Sequence, residues 1–147
     1  MRVERLKEDD LASLSEIFQQ FWGEISSLEK MRTTFSRLKT NPAYILLAAK
    51  QDNTLVGFAM GIICEELYGD CKPFMIIEDL IVDKNRRRNS TGSALMRELE
   101  KHAVDSNCCQ IIFVTESDRT DAHHFYKSLG YEFEPYKGFK KRIKKKG

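Results

Sequence analysis

Over the first forty residues the apolar positions keep a helical period. Leu11, Leu14, Ile17, Phe18 and Phe21 recur at helical spacing behind Asp9-Asp10, a pair able to cap a helix. Ile25, Leu28, Met31, Phe35 and Leu38 repeat the pattern, and Asn41-Pro42 stops it. Beyond that proline the pattern turns strand-like. Tyr44 to Ala49 and Thr54 to Leu67 flank the turn-forming Gln51-Asp52-Asn53 and predict a hairpin. Pro73 to Val82 is a dense apolar run interrupted only by Glu78-Asp79, which predicts a central buried strand. Ser90 to Val104 is helical, with Leu95, Leu99 and His102 on one face. Gln110 to Thr115 reads as another buried strand, and Asp121 to Leu129 as a short helix ending at Gly130. A short strand at Val3 to Leu6 opens the series, and Tyr131–Phe133 with Lys137–Ile143 closes it as a hairpin. The element order is therefore β-α-α-β-β-β-α-β-α-β-β. Antiparallel hairpins precede a β-α-β crossover, which must be right-handed, with its two strands parallel.

A chain of 147 residues suits one domain with a full core, so residues 1–147 are read as a single domain with a basic, frayed end from about residue 144. Hydrophobic residues at 41% and charged residues at 31% exclude disordered and collagenous classes. No apolar run approaches the ~20 residues of a membrane span. The N-terminal MRVERLKEDDL is charged where a signal peptide is apolar, so a cytoplasmic protein is expected. Cysteine usage agrees. Adjacent Cys108 and Cys109 cannot easily pair, and no C-x-x-C spacing exists. A Cys64–Cys71 hairpin disulfide is conceivable, but reduced thiols are the simpler reading.

The net charge of +2 hides a split. Seven basic residues and no acid lie in Lys137–Gly147, leaving 17 of the 24 basic residues and all 22 acids to the other 136, a net of −5. The tail and Arg86-Arg87-Arg88 would carry any nucleic-acid role, yet no base-reading element accompanies them, and a solvated terminal strand explains the tail. Glu65, Glu66, Asp70, Glu78, Asp79 and Asp83 lie close in sequence against Lys72 alone. Acids near a site favour a cationic substrate such as an amine; they also serve as loop solubility residues.

The junction from Val82 to Ser93, VDKNRRRNSTGS, joins the central strand to a helix. A turn of small residues opening a helix exposes unpaired N–H groups, and the helix dipole adds to them, so the segment suits a pyrophosphate. An ordinary strand-to-helix loop capped by Ser90 is the alternative.

Two segments carry a family resemblance. Arg87-Arg88-Asn89-Ser90-Thr91-Gly92 resembles the Arg/Gln-x-x-Gly-x-Gly/Ala loop of the GNAT acetyltransferases, and Ala122-His123-His124-Phe125-Tyr126-Lys127-Ser128-Leu129-Gly130-Tyr131 resembles their later A-x-x-F-Y-x-x-L-G-F/Y motif. The run Arg119-Thr120-Asp121-Ala122-His123-His124-Phe125-Tyr126 is similar to that of aminoalkylphosphonate N-acetyltransferase-like proteins, some of which also lack the first loop glycine. Here that position is Ser90, strained if the turn needs positive φ. The resemblance implies a mixed, mostly antiparallel twisted sheet with a splayed central parallel strand pair and helices on both faces. It implies acetyl-CoA as cosubstrate, with the amides of Arg88 to Ser93 on the pyrophosphate, Arg87 leading the loop, and exposed main chain of Leu80, Ile81 and Val82 on the pantetheine arm.

Acyl transfer to an amine needs a proton acceptor, because an alkylamine is mostly protonated at pH 7. Glu78 and Asp79 are the candidates, and they face opposite ways unless a bulge intervenes. Similar enzymes place a carboxylate nine or eleven residues before the loop arginine. Glu78 is nine before Arg87, whereas the other position is Ile76, so Glu78 is the expected base and Asp79 the amine ligand. Tyr126 matches the tyrosine that protonates the departing thiolate. His123 and His124 point apart on a helix, so no metal is expected. Trp22 and Tyr68 could line the acceptor pocket or simply pack.

The expected activity is acetyl transfer from acetyl-CoA to a primary amine in a ternary complex. The acceptor is expected to be a small molecule of polyamine, aminoglycoside or aminoalkylphosphonate type, with Arg86, Arg119 or Lys72 available to a phosphonate. The alternative is a non-catalytic acetyl-CoA-sensing or nucleic-acid-binding module on the same fold. A homodimer through Tyr136 to Ile143 is also expected, since an open edge strand invites pairing.

Overall fold

The computed structural model describes residues 1–86, 90–115 and 120–143. The elements are β1 (Arg2–Arg5), α1 (Leu11–Trp22), α2 (Leu28–Leu38), β2 (Tyr44–Gln51), β3 (Thr54–Cys64), β4 (Phe74–Val82), α3 (Thr91–Asp105), β5 (Ile111–Ile112) and α4 (Thr120–Ser128). Short 3-10 turns precede α1 and follow β4. The five strands form one mixed sheet in the order β1-β2-β3-β4-β5, antiparallel except for the parallel β4–β5 pair. The chain divides into two compact units, Met1–Phe113 and Val114–Gly147.

The first unit is built on the β2–β3 hairpin. Asp52 and Asn53 take φ of 50° and 63°, the pair of left-handed residues that a two-residue hairpin turn needs. One face of the sheet receives α1 and α2. Leu11, Leu14 and Ile17 of α1 and Phe35 of α2 are buried with Leu46, Ala48, Leu55, Phe58 and Ile81 of the sheet. The other face receives α3 through Leu95, Met96, Leu99 and Ala103. There α3 lies against Gly57 and Gly61. A Cβ on Gly57 would sit 3.0 Å from Thr91 Cγ2, and one on Gly61 would sit 3.0 Å from Leu99 Cδ2.

Several expectations need correction. Asp10 gives no side-chain cap to α1. Its Oδ2 accepts the Lys7 N–H at 2.8 Å, and its Oδ1 pairs at 2.8 Å with the buried Lys50, which also reaches Glu4 Oε1 at 2.9 Å. An ion pair drew this aspartate into the fold, which helical spacing could not show. The second helix begins at Leu28, capped by Ser27, whose Oγ accepts the Lys30 N–H, so Ile25 stays outside and exposed. His102 is half-buried beside Glu98 rather than in the core. The strand expected over Gln110 to Thr115 is only Ile111–Ile112, and that expected to Leu67 ends at Cys64.

In the second unit α4 ends near Gly130, at φ 92°. Residues 131–143 contain no strand, so the expected closing hairpin is absent. Tyr131–Phe133 is short, Pro135 has no N–H to give, and a strand exists only where a partner edge accepts it. The edge on which the dimer expectation rested is therefore not formed by Tyr136 to Ile143. The end from residue 144 lies outside the described residues.

Candidate active site

The register of β4 changes in its middle. Phe74, Met75, Ile76 and Ile77 pair with Cys64, Ile63, Ile62 and Gly61, whereas Asp79, Leu80, Ile81 and Val82 pair with Met60, Ala59, Phe58 and Gly57. Glu78 is left without a partner, which makes it the extra residue of a β-bulge. The bulge resets the alternation of side chains. Ile77 lies opposite Gly61 on the α3 face, as the Leu99 neighbour of Gly61 shows. Asp79 lies opposite Met60, which packs into the cluster under α1 and α2. Leu80, one residue on, returns to the α3 face. Two consecutive residues, Glu78 and Asp79, therefore fit between Ile77 and Leu80 on the α1–α2 side. An unbroken strand would have sent them to opposite faces.

Glu78 is exposed and Asp79 is partly buried. Burial pushes the Asp79 carboxyl up to about 6, and the neighbouring Glu78 charge adds to the shift. The pair thus holds one carboxylate open to solvent beside one whose affinity for a proton lies near neutral pH.

Among the described residues, one edge of the same stretch of β4 has no strand partner. Asp83 N–H bonds Val56 O at 2.8 Å, so by antiparallel alternation Ile81 turns its main chain toward β3. Leu80 and Val82 turn theirs the other way, where, among the described residues, β5 pairs with Met75 and Ile76 and no strand reaches Leu80 or Val82. Of the three residues expected to offer main chain to a pantetheine arm, Leu80 and Val82 face the gap and Ile81 does not. Ile81 is instead a core residue, 3% exposed.

At the end of that gap α3 begins. Ser90, its N-cap, takes φ 60° and ψ 18° and makes no side-chain cap bond. Its carbonyl accepts Ala94 N–H at 3.0 Å. The N–H groups of Thr91, Gly92 and Ser93 lie in the first turn and lack intrahelical acceptors. Thr91 is only 1% exposed, and its buried Oγ1 has no partner among the described residues. Three free amides, a helix dipole and an orphaned hydroxyl fit the diphosphate of acetyl-CoA. The open Leu80 and Val82 edge fits its amide-bearing arm. Arg87, Arg88 and Asn89 lie outside the described residues.

Sequence reasoning passed over two side chains at this junction. Gln20, near the end of α1, accepts Lys84 N–H at 3.2 Å through Oε1 and places Nε2 3.5 Å from Asp83 Oδ1. Gln51, at the end of β2, accepts Arg86 Nη1 at 2.9 Å. Both are distant in sequence from β4, and no spacing could have marked them. Trp22 is 58% exposed at the end of α1, with its ring 5.4 Å from Phe18. Tyr68 is exposed in the loop between β3 and β4. All four cysteines are free thiols.

The sequence matches the acetyltransferase (GNAT) family over residues 11–131. The chain belongs to that family. Membership makes this GNAT protein an N-acetyltransferase, and the mixed α/β sheet with its parallel β4–β5 pair is the expected fold. No curated protein matches the sequence. In structure it is similar to a chain from Agrobacterium tumefaciens provisionally described as an acetyltransferase, with TM-score 0.90 and 21% identity over 97% of this chain and 100% of that one. It is similar to a transcriptional regulator from Bacillus halodurans, with TM-score 0.88 and 21% identity over 97% and 99% of the two chains. It also resembles an aminoglycoside 6'-N-acetyltransferase from Acinetobacter haemolyticus, with TM-score 0.75 and 22% identity over 98% and 100%. At these identities the likeness shows the fold alone.

In the second unit of this GNAT protein, Tyr126 lies on α4, partly buried, with its ring 5.2 Å from Phe125 and 6.4 Å from Tyr131. His123 stacks near Phe133 at 5.7 Å. Among the described residues no three His, Cys, Asp or Glu side chains gather as metal ligands. No helix there is long and apolar enough to cross a membrane.

Proposed function

We propose that the protein transfers the acetyl group of acetyl-CoA to the primary amine of a small, cationic acceptor in a ternary complex. The observation that carries this reading is the β4 bulge, which sets Glu78 and Asp79 side by side along the open edge of the strand. Acetyl-CoA supplies a thioester whose carbonyl carbon the amine attacks and whose thiolate leaves. The free amides of Thr91, Gly92 and Ser93 hold its diphosphate, and Leu80 and Val82 bond its amide arm, with Arg87, Arg88 and Asn89 completing the loop. Glu78, open to solvent, takes the ammonium proton directly or through water. Asp79 holds the cation beside it, and a bound cation in turn favours its ionised form. Tyr126 gives its phenolic proton to the thiolate.

The exposed acids Glu65, Glu66 and Asp70 favour an acceptor of polyamine or aminoglycoside type. Arg86, a candidate ligand for an aminoalkylphosphonate, is instead bonded to Gln51, which weighs against that class. The protein works in the cytoplasm, as one catalytic domain over residues 1–147, and needs no metal, nucleic acid or membrane. CoA release with a panel of amines tests the activity. Glu78→Gln and Tyr126→Phe should each lower kcat by about 10²–10⁴-fold with acetyl-CoA affinity kept. Equal turnover in both variants would remove these residues from the mechanism. Acetyl-CoA binding with no turnover on any amine would favour a sensing module.

A further inference from the structure

Two side chains from distant parts of the first unit grip the short turn between β4 and α3. The turn, Lys84–Arg86, is wound locally by Asp83: its Oδ1 accepts Asn85 N–H at 3.0 Å and its carbonyl accepts Arg86 N–H at 2.9 Å. Gln20 then holds it from the α1 side. The Lys84 N–H donates, so an oxygen must face it, and the amide orientation follows: Oε1 on Lys84, Nε2 toward Asp83. Gln51 holds it from the hairpin side, by accepting a guanidinium hydrogen from the partly buried Arg86.

We infer that Gln20 and Gln51 are positioning residues for cosubstrate binding, fixing the Lys84–Arg86 turn that precedes the anion-binding start of α3 in the chain. This inference rests on the proposed use of α3 as the diphosphate site. The hydrogen bonds of the two glutamines go to Asp83, Lys84 and Arg86. Each acts through main chain or through Arg86. The geometry explains why the lever matters. The amides of Thr91, Gly92 and Ser93 serve a diphosphate only when they converge, and a misplacement of about 1 Å weakens such contacts severely. Ser90 at the start of α3 already holds a left-handed conformation that serine does not favour. Gln20 lies two residues before the exposed Trp22, so the same hydrogen bonds tie the end of α1 to the cosubstrate turn.

The test is a set of four variants, read by calorimetric titration of acetyl-CoA and by steady-state kinetics with the best amine. Gln51→Leu removes the acceptor of Arg86 and should raise the acetyl-CoA Kd and KM about 5- to 10-fold, the worth of one typical lost hydrogen bond felt through the turn. Gln51→Glu restores an acceptor and should stay within twofold of wild type. Gln20→Leu should weaken acetyl-CoA by a similar factor. Gln20→Glu should do the same, because its second oxygen would face Asp83. In every case kcat at saturating acetyl-CoA should remain within about twofold. A purely structural role would lower thermal stability and active fraction while leaving Kd in place, and that result would overturn the inference. So would equal Kd for Gln51→Leu and Gln51→Glu. If wild type itself does not bind acetyl-CoA, the proposed function falls, and this inference with it.

Discussion

Replacing Asp79 with asparagine should stabilise the protein while weakening its hold on the amine. The carboxyl is displaced from an ordinary 3.8 to about 6, chiefly by burial and then by Glu78. Each unit of displacement is worth about 1.4 kcal/mol, so the charged form costs the fold about 3 kcal/mol at most. Asp79 keeps part of its surface in water, and asparagine still buries a polar amide, so about 1–2 kcal/mol is the expected gain. For a chain of this length that corresponds to a rise in Tm of about 2–8 °C. The pH dependence gives the sharper signature. The native state binds this proton more tightly than the unfolded chain does. Wild-type stability from this group is therefore highest below about pH 4, declines from about 4 to 6, and stays reduced above 6. The advantage of Asp79→Asn should vanish near pH 4, grow to about pH 6 and then level off. Urea denaturation of both proteins from pH 4 to 8 measures it. A variant no more stable than wild type at pH 7.5, or a difference independent of pH, would refute the claim that the bulge traps an unfavourable carboxylate. Wild-type KM for the amine should also rise below about pH 6, as Asp79 loses its charge.

Three further outcomes follow from the packing. Ser90→Gly relieves a left-handed serine and should stabilise the protein by about 0.5–1 kcal/mol in urea denaturation; no gain would mean that the hydroxyl has a compensating role. Gly57→Ala drives a methyl to 3.1 Å from Ile81 O and 3.0 Å from Thr91 Cγ2, so it should cost about 1–3 kcal/mol and weaken acetyl-CoA binding, read by calorimetry. Lys50→Met strands the buried Asp10 charge and should cost about 3–5 kcal/mol, with Lys50→Met/Asp10→Leu recovering much of it in the same assay. In that cluster the Lys50 ammonium and Arg2 guanidinium hold the Glu4 carboxyl down to about 2, so its contribution is present above the ordinary 4.5 and lost as pH falls toward 2.

The local elements and the chemical inventory were legible in the chain alone. Helical spacing marked α1 and α3, the Asp52-Asn53 turn marked the hairpin, and an apolar run marked β4, because each depends on neighbours in the chain. Glu78 and Asp79 stood out as charges in an apolar strand. Whether they face the same way was not legible, since it depends on how β3 pairs with β4, and the bulge arises only in that pairing. The same is true of the edge at Leu80 and Val82, unpaired among the described residues because β5 spans only Ile111–Ile112 there. Lys50 with Asp10, and Gln20 and Gln51 with the Asp83–Arg86 turn, join residues 35 to 64 positions apart. No periodicity spans such distances. Tyr131–Phe133 and Lys137–Ile143 show the converse: they read as a closing hairpin, and neither segment forms a strand. Period is a property of the chain alone, whereas pairing, burial and the field around a carboxylate belong to the assembled fold.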